Sequence, residues 1–468
     1  MEKNKQRETH TVCSGAAEKS LAEFAPAGAK KRKSAFSELL WDTRSVCPLC
    51  LRPIPAALEL REDGAVWQRK SCPEHGAFAV PVWRGKMDFL RWTAGASRLP
   101  AGAGLGCPAN CGLCPEHEQA TCCSLLEVTA RCNLRCRFCF ASAGEDPAED
   151  PPLSELKAAV DAIMDRCGRP LLQLSGGEPT LRDDLPELVA YAKERGCPYV
   201  QINTNGLRLA REPAYAAALA QAGVSIVFLQ FDGVDDAVYE ALRGRPLLAE
   251  KEAAIAVCRD LRMGVTLVPT VVRGVNDGQL GDIVRYAAAR LPGVRAVHFQ
   301  PVSYFGRIPT GPEADGRFTL DELMAGLMEQ AGLPEDSFLP SRCDHPLCGF
   351  HAAFLAEADG TLRPLHGRGR SGAGSQACRT TAEENRSYVA RHWERRDAPE
   401  DAGKPEDDSF EGFIRRMRTR TLTLTSMAFQ DAGNLDIERL HRCSLHVYDK
   451  GRVMPFCAKY LSALPERS

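Results

Sequence analysis

The sequence predicts an α/β fold: a partial (β/α)6 barrel, preceded by a small metal-binding unit and followed by an extension with clustered cysteines. Apolar strand-like runs alternate with helix-like stretches between residues 124 and 310, which is typical of a parallel sheet. Two short cysteine turns precede that region, and most of the 20 cysteines in the 468 residues fall into such motifs. These observations define a tail, a metal unit, a barrel and a C-terminal domain.

The composition predicts a cytoplasmic protein that recognises its partners at local sites. With 59 basic and 61 acidic residues, the net charge of -2 provides no overall field that would attract nucleic acid. The N-terminus has no apolar signal segment, and no run approaches about 18 apolar residues. Without export we expect no disulfides, so the clustered cysteines are interpreted as metal ligands. Residues 1–40, with a basic run at 30–33, are predicted to be a flexible tail.

Residues 41–106 are predicted to hold one metal ion. Cys47 and Cys50 form one C-x2-C turn, and Cys72 and His75 form a second turn about twenty residues later. Three sulfurs and one imidazole are the ligands of a rubredoxin-like or zinc-ribbon-like site. The pattern therefore predicts one mononuclear zinc or iron, without deciding between them.

Residues 107–123 are predicted to form an auxiliary cluster loop. Cys107, Cys111 and Cys114 are followed eight residues later by Cys122. Four thiolates at such spacing favour a fully ligated 4Fe–4S cluster, with Cys123 as the competing fourth ligand. A zinc site is the alternative.

The barrel is assigned to residues 124–310. Strands are predicted at 125–128, 171–174, 199–202, 225–231, 265–268 and 295–299. Helices are predicted at 153–167, 185–195, 213–222, 247–262 and 280–290. Ligands of such folds bind at the C-terminal ends of the strands.

The loop after the first strand carries three cysteines, Cys132, Cys136 and Cys139. Thiolates are preferred ligands of iron–sulfur clusters, and three of them leave one iron of a 4Fe–4S cubane open for chemistry. A zinc knuckle or incidental core thiols are the alternatives. A zinc site would want a fourth ligand close by, and this loop does not supply it.

Polar residues and glycines at the other strand ends are candidates for binding a cofactor or substrate. Short turns and core packing are the alternative roles. The principal candidates are Gly176, Gly177, Glu178, Asn203, Asn205, Gln230 and Asp232. Weaker candidates are Arg243, Arg273, His298 and Gln300.

The C-terminal domain is assigned to residues 311–468, where the alternation stops. Cys343 and Cys348 form one pair, and Cys443 and Cys457 lie about a hundred residues further on. Four thiolates predict a second auxiliary 4Fe–4S cluster that closes over the barrel mouth. A charged stretch at 395–408 is predicted to be a loop or disordered insertion.

The cysteine loop, with Phe138 directly before its last cysteine, resembles the signature of the radical S-adenosylmethionine (SAM) superfamily. Further segments are similar to the branch that contains archaeal tetraether lipid synthases and radical SAM methylases of the methanopterin precursor. These segments are 106–122, 127–136, 230–236, 299–303, 425–436, 442–443 and 455–457. The resemblance covers residues 41 to 462.

This resemblance implies a radical SAM barrel in which the open iron binds SAM. An electron from the cluster then cleaves SAM to a 5′-deoxyadenosyl radical. The three cysteines of the loop would hold the cluster, and Gly176, Gly177 and Glu178 would bind the amino group of SAM. An electron donor such as flavodoxin, ferredoxin or a reductase is implied as a partner.

The resemblance leaves the substrate open. The main hypothesis is C–C bond formation at an unactivated carbon of an alkyl or isoprenoid lipid, which would involve peripheral membrane contact. The alternative is methylation of a pterin-like heterocycle by a folate-type methylene donor. An iron–sulfur electron-relay protein is a hypothesis of another class, and the open iron argues against it. A nucleic-acid module with zinc knuckles is disfavoured by the net charge of -2.

Overall fold

The computed structural model of the protein describes residues 37–96, 106–109, 111–144, 149–309, 316–341, 343–365, 381–393 and 409–464. Most of the predicted tail lies outside these residues, as do the charged stretch 395–408 and the cysteines at 13 and 378. No helix among the described residues is long and apolar enough to cross a bilayer.

The N-terminal unit is a four-stranded antiparallel sheet in the order β1-β2-β3-β4. Its strands are β1 Ser37–Val46, β2 Pro53–Arg61, β3 Ala65–Cys72 and β4 Gly76–Arg84, and helix α1 Phe89–Thr93 follows. The two predicted metal turns are the β1–β2 and β3–β4 connections, so both lie at the same end of the sheet. The sheet packs on later parts of the chain, because Lys70 Nζ donates 2.7 Å to the Ala432 carbonyl and Gln68 donates 3.0 Å to the Leu435 carbonyl.

Six parallel strands in sequential order form the centre of the second sheet, which confirms the predicted α/β fold class. The sheet is open and does not close into a complete barrel. The six strands are β5 Cys123–Thr129, β6 Leu171–Gly176, β7 Val200–Thr204, β8 Ile226–Gln230, β9 Gly264–Val268 and β11 Val294–Pro301, with the short β10 Thr270–Val271 beside β11. The helices between them are α2 Leu153–Cys167, α3 Leu185–Glu194, α4 Leu207–Arg211, α5 Pro213–Ala222, α6 Asp236–Arg243, α7 Leu248–Asp260 and α8 Leu280–Ala288.

Strands from the C-terminal extension add to both edges of this sheet. β15 Thr421–Ser426 pairs parallel to β11, and β16 Leu445–Asp449 pairs parallel to β5. The remaining strands are β12 Leu339–Pro340, β13 Phe350–Ala356, β14 Leu362–Pro364 and β17 Arg452–Pro455. The helices of this part are α9 Leu320–Ala331, α10 Ala382–Trp393, α11 Phe410–Thr419, α12 Ile437–His441 and α13 Phe456–Lys459. The extension is therefore continuous with the central sheet.

The two faces of the central sheet differ in chemistry, because successive side chains of a strand point to opposite faces. On the convex face, buried apolar side chains such as Leu126, Leu174 and Leu229 pack with the helices in the main core. The opposite, concave face carries apolar side chains such as Leu171, Ile226 and Phe228 together with many polar ones. The polar side chains are Glu127, Gln173, Ser175, Gln201, Asn203, Gln230, Thr266, His298, Gln300, Thr423 and Thr425.

Helix α10 closes the concave face at the N-terminal ends of the strands. Trp393 stacks on Phe228 with ring centroids 5.8 Å apart. Arg386 donates to the carbonyl of Thr121, directly before β5, and to the carbonyl of Gly168 at the end of α2. The opposite end of the concave face is where the cysteine loop lies.

Candidate active site and metal centres

Four ligand atoms converge between the two turns of the N-terminal sheet. Cys47, Cys50, Cys72 and His75 each offer one ligand atom, and these four atoms all lie within 4.8 Å of one another. His75 Nδ1 is 3.6 Å from Cys47 Sγ and 3.5 Å from Cys72 Sγ. A tetrahedral zinc with bonds of about 2.3 Å to sulfur and 2.0–2.1 Å to nitrogen sets its ligands about 3.5–3.8 Å apart. The arrangement fits one tetrahedral ion.

The hydrogen bonds at this site favour the thiolate form of Cys72. Burial raises the pKa of Cys72, but hydrogen bonds from the His75 side chain and from the backbone of Glu74 and His75 outweigh it and lower the pKa to about 6. The thiolate is the form that binds metal. Cys47 behaves differently, because burial raises the pKa of its thiol.

The loop with Cys132, Cys136 and Cys139 follows β5 and is held from the segment after β11. Cys139 and Arg307 exchange two backbone hydrogen bonds of 3.0 and 2.9 Å. The Arg307 side chain donates 2.8 Å to the Cys136 carbonyl and 3.2 Å to the Ala143 carbonyl. All three thiols are half-buried, so a cluster held there would remain accessible to a cofactor. Sequence reasoning missed Arg307, because no motif links it to the loop.

The thiols of this loop lie in a charged environment. Burial raises the pKa of Cys132 to about 12, and Glu178, Cys136 and Cys139 add to the shift. Binding of iron would therefore displace a proton from this thiol. Arg243 offers positive charge beside Cys136, and its own pKa is raised chiefly by Asp232 and then by Cys136, against the effect of burial.

Gly176 and Gly177 allow the end of β6 to pack on the start of the cysteine loop. A Cβ on Gly176 would lie 2.3 Å from the Thr129 carbonyl oxygen, and one on Gly177 would lie 2.1 Å from the Arg131 carbonyl oxygen. Gly176 also has φ +115°, which L side chains rarely adopt. In addition to any ligand contact, these glycines bring two backbone segments together.

Glu178 joins the ends of β6 and β7. Its buried carboxylate accepts 2.6 Å hydrogen bonds from the hydroxyls of Thr180 and Thr204, and bonds from the amides of Thr180 and Asn205. Asn205 in turn donates 2.7 Å to Asn133 Oδ1 in the cysteine loop. The structure therefore gives Glu178 and Asn205 a positioning role, which the turn motif did not reveal.

Asp232, a candidate for binding a cofactor or substrate, is bonded within the protein. Its fully buried carboxylate accepts 2.7 and 2.6 Å hydrogen bonds from Arg243 and one of 3.1 Å from the amide of Thr270. Arg243 is thereby committed to this pair as well as to its position beside Cys136. A charged pair of this kind is retained inside a fold only when its hydrogen bonds are satisfied.

Lys251 is a further buried cation that sequence reasoning missed. It donates 2.6 Å to the Asn205 carbonyl and 3.1 Å to Gln230 Oε1, so it fixes the end of β8 against the end of β7. Burial is the main cause that lowers its pKa to about 8. Asn203 donates 3.3 Å to Ser175 Oγ and, like Gln230, is half-buried on the concave face.

Two of the weaker candidates for ligand binding, His298 and Arg273, have partners within the protein. His298 is a core histidine: its Nδ1 lies 2.8 Å from Thr425 Oγ1, and burial lowers its pKa to about 3. Arg273 is bonded to Glu322 at 2.7 Å. Gln300 stays half-buried on the concave face.

The auxiliary cysteines do not group as predicted. Cys107, Cys111 and Cys114 lie together, and burial followed by the charges of the other two raises the pKa of Cys107 to about 12. Cys122 instead lies beside Cys343, whose pKa it raises by a side-chain hydrogen bond, to which burial adds. Folding brings Cys122 to the start of β5, away from the loop that its spacing suggested.

The second predicted set is also divided. Cys348, Cys443 and Cys457 lie near one another, and burial first, then Asp344 and the other two cysteines, raises the pKa of Cys443. Arg439 Nε donates 3.5 Å to Cys348 Sγ. Long-range pairing of this kind is set by the tertiary fold and cannot be derived from spacing.

Comparison with known proteins agrees with this geometry. Residues 126–287 match the family described as "Radical SAM superfamily". Residues 39–84 match the family described as "HMPTM N-terminal zinc ribbon domain". The two matches coincide with the parallel strands around the cysteine loop and with the four-ligand metal site.

The curated relatives include enzymes with different substrates. A 7,8-dihydro-6-hydroxymethylpterin dimethyltransferase from Methanocaldococcus jannaschii is 36% identical over 353 residues, which are 69% of each chain. An Fe-coproporphyrin III synthase from Methanosarcina barkeri is 44% identical over 108 residues, 23% of this chain and 26% of that one. A GTP 3′,8-cyclase from Syntrophomonas wolfei is 30% identical over 191 residues, 40% of this chain and 58% of that one.

Solved structures resemble the protein less closely. The structure titled "Native anSMEcpe with bound AdoMet" has a TM-score of 0.37 and 15% identity, and covers 57% of this chain and 82% of that chain. The similarity of the pterin dimethyltransferase extends over more than two thirds of its length, and the family match contains the three-cysteine loop. The chain therefore belongs to the radical SAM superfamily of enzymes.

Proposed function

We propose that the protein is a radical SAM methyltransferase that acts on a pterin-like heterocycle. The observation that carries this proposal is the 36% identity to the pterin dimethyltransferase across 69% of both chains. The match of residues 39–84 to the "HMPTM N-terminal zinc ribbon domain" favours zinc at the N-terminal site. The comparisons support this alternative better than the lipid-coupling hypothesis.

The chemistry of the concave face also favours a polar substrate. Gln173, Asn203, Gln230 and Gln300 are half-buried on that face, on β6, β7, β8 and β11. A pterin ring offers hydrogen-bond donors and acceptors that can pair with such amides. An alkyl chain has no hydrogen-bonding groups to offer these amides. A lipid tunnel would be expected to have an apolar lining.

The residues of the site have distinct tasks in this proposal. Cys132, Cys136 and Cys139 would hold the cluster that, when bound, supplies the electron for reductive cleavage of SAM. Arg307 fixes the loop through the carbonyls of Cys136 and Ala143. Glu178 fixes the adjacent strand ends through four hydrogen bonds. Precise positioning of reacting atoms is the main contribution a protein makes to radical chemistry of this type.

Methylation of this kind requires two co-reactants, a methylene donor and an electron donor. A methylene group from a folate-type donor adds to a ring C–H to give C–CH3, and the two donor nitrogens regain hydrogen. The net change therefore consumes two electrons and two protons, which a flavodoxin or ferredoxin type of donor would supply. Auxiliary 4Fe–4S clusters at the remaining cysteine groups would provide a route for these electrons.

Anaerobic assays with reconstituted protein test the proposal. A reduced hydroxymethylpterin, a 13C-labelled methylene donor, SAM and a reductant should give a pterin heavier by one labelled methyl group, detected by mass spectrometry. A Cys136→Ala variant should give none. An archaeal diether lipid is assayed in parallel. Coupled lipid with no methylated pterin would overturn the proposal and leave the superfamily assignment intact.

A further inference from the structure

We propose that the exposed surface of the cysteine loop docks a small acidic electron-carrier protein of the flavodoxin type, through Arg135 and Arg137. Both side chains are exposed, and the two residues directly precede and follow Cys136 in the chain. The proposal rests on the radical SAM chemistry of the proposed function, which consumes electrons, and not on the identity of the substrate.

The charges of these two arginines are not neutralised within the protein. Among the described residues, neither guanidinium group makes an ion pair or a hydrogen bond. Arg131, directly before the loop, differs because its Nε donates 2.9 Å to Asp150. The fold therefore commits Arg131 to an internal contact and leaves the charges of Arg135 and Arg137 available to a partner.

Contacts of the loop place the two arginines beside α4 and the connection between α6 and α7. Leu134 packs in one apolar cluster with Leu207 of α4 and Leu247 of the connection. The Arg137 amide donates 2.9 Å to the Leu242 carbonyl near the end of α6. A partner that contacts the arginines would therefore also meet the exposed side chains of these elements.

The neighbouring surface adds positive charge. Arg211 of α4 and Arg245 of the connection share one carboxylate, that of Glu250, which lies 3.7 Å from each. Asp236, at the start of α6, accepts hydrogen bonds from two backbone amides at the start of α7. Two arginines and one glutamate leave an excess of positive charge beside the loop. This surface can therefore attract an acidic protein although the net charge of the chain is -2.

The position of the arginines inside the cysteine motif suits electron delivery. Cys136 lies between them and is half-buried, so a cluster held there would lie close to the docking surface. The loop is held in place by the two backbone hydrogen bonds between Cys139 and Arg307. In the docked complex the anionic flavin hydroquinone would lose one electron to become the neutral semiquinone, and a cluster on the three cysteines would gain that electron.

Charge complementarity favours a flavodoxin as the partner. Flavodoxins are small acidic proteins in which carboxylates surround the exposed edge of the flavin. Complementary surface charges chiefly raise the rate of association and orient the two proteins, and these effects weaken as salt is added. Arginine can also bond a carboxylate through two N–H groups at once, which would fix the flavin edge over the loop.

The rate at which a reduced flavodoxin reduces the reconstituted protein tests the proposal. It is followed anaerobically by stopped flow at low and high ionic strength. The variants are Arg135→Glu with Arg137→Glu, and the milder Arg135→Gln with Arg137→Gln. Arg166→Glu with Arg169→Glu is the matched control, because it makes the same change in net charge at two exposed positions shortly before β6, at the opposite edge of the sheet from the loop. Dithionite, which needs no protein contact, is used on each variant to normalise the rate, and iron per chain is measured.

We expect the glutamate variant of the loop to lower the normalised rate constant for flavodoxin about 10-fold at low ionic strength. The glutamine variant should lower it less, and the control should keep the rate of the unmodified protein. High salt should reduce the difference between the unmodified protein and the glutamate variant, because it screens exposed charges.

Three results would overturn the proposal. One is an equal rate for the glutamate variant and its control. Another is a flavodoxin that fails to reduce the unmodified protein while dithionite reduces it. In both cases the readout involves no pterin, so methylated pterin formed with dithionite would leave the proposed function intact. The third is a protein that dithionite does not reduce, which would contradict the radical SAM chemistry as well.

Discussion

Substitution of Gly177 by alanine tests the contact between the end of β6 and the cysteine loop. The new Cβ would lie 2.1 Å from the Arg131 carbonyl oxygen, whereas real Cβ contacts essentially never fall below 3.0 Å. The two backbone segments must therefore separate by about 0.9 Å. Misplacement of reacting groups by about 1 Å costs on the order of 100-fold in rate, which corresponds to about 2.7 kcal/mol. We expect a loss of that size in formation of 5′-deoxyadenosine.

Gly278→Ala is the matched control, because nothing lies within 4 Å of a Cβ at that exposed position. Both variants are reconstituted anaerobically, their iron content is measured, and 5′-deoxyadenosine is followed over time. The control should retain the rate of the unmodified protein. Turnover of SAM by Gly177→Ala at the same rate as Gly278→Ala would refute the argument that this glycine sets the loop position.

Three further predictions concern charged residues. Asp232→Asn leaves Arg243 without its buried partner and should reduce the free energy of unfolding by about 3–5 kcal/mol in urea titrations, while the exposed Asp183→Asn changes it by less than about 1 kcal/mol. A shift no larger than that of the control would contradict this. Burial lowers the pKa of Lys251 from 10.5 to about 8, so the unfolded chain binds its proton more tightly between these pH values. Unfolding free energy should therefore rise by about 3 kcal/mol from pH 8 to 10.5 relative to Lys251→Met, and parallel pH profiles would contradict it. Arg307→Lys cannot reach both loop carbonyls and should lose iron to a chelator several-fold faster, whereas an unchanged rate would show that the backbone bridge suffices.

The repeating strand and helix units could be predicted from the sequence because their signals are local. The prediction of a helix at 153–167 coincides with Leu153–Cys167, and that at 213–222 coincides with Pro213–Ala222. Strand positions agree within a few residues, since each is a short apolar run between turn residues. The metal turns of the N-terminal sheet were predictable for the same reason, because both halves of the site are two-residue spacings.

The remaining features depend on contacts between distant parts of the chain. The Thr-Leu alternation at residues 421–426 is a strand pattern, but the sequence does not indicate that this strand pairs with β11. At the other edge of the sheet, the Cys122 amide bonds to the Ser444 carbonyl directly before β16, and Cys122 packs in a different apolar cluster from Cys107. Arg307 bonds to carbonyls 171 and 164 residues away, and Asp232 pairs with Arg243 at the end of the next helix, so residue type and spacing gave no sign of these partners.

The most direct test of the radical SAM assignment is SAM cleavage by anaerobically reconstituted protein under reduction. The reduced protein should produce 5′-deoxyadenosine and methionine and should show a SAM-dependent change in its cluster EPR signal, and Cys136→Ala should lose both. A folded, iron-loaded protein that cleaves no SAM, with an EPR signal that SAM does not change, would contradict the assignment as a radical SAM enzyme.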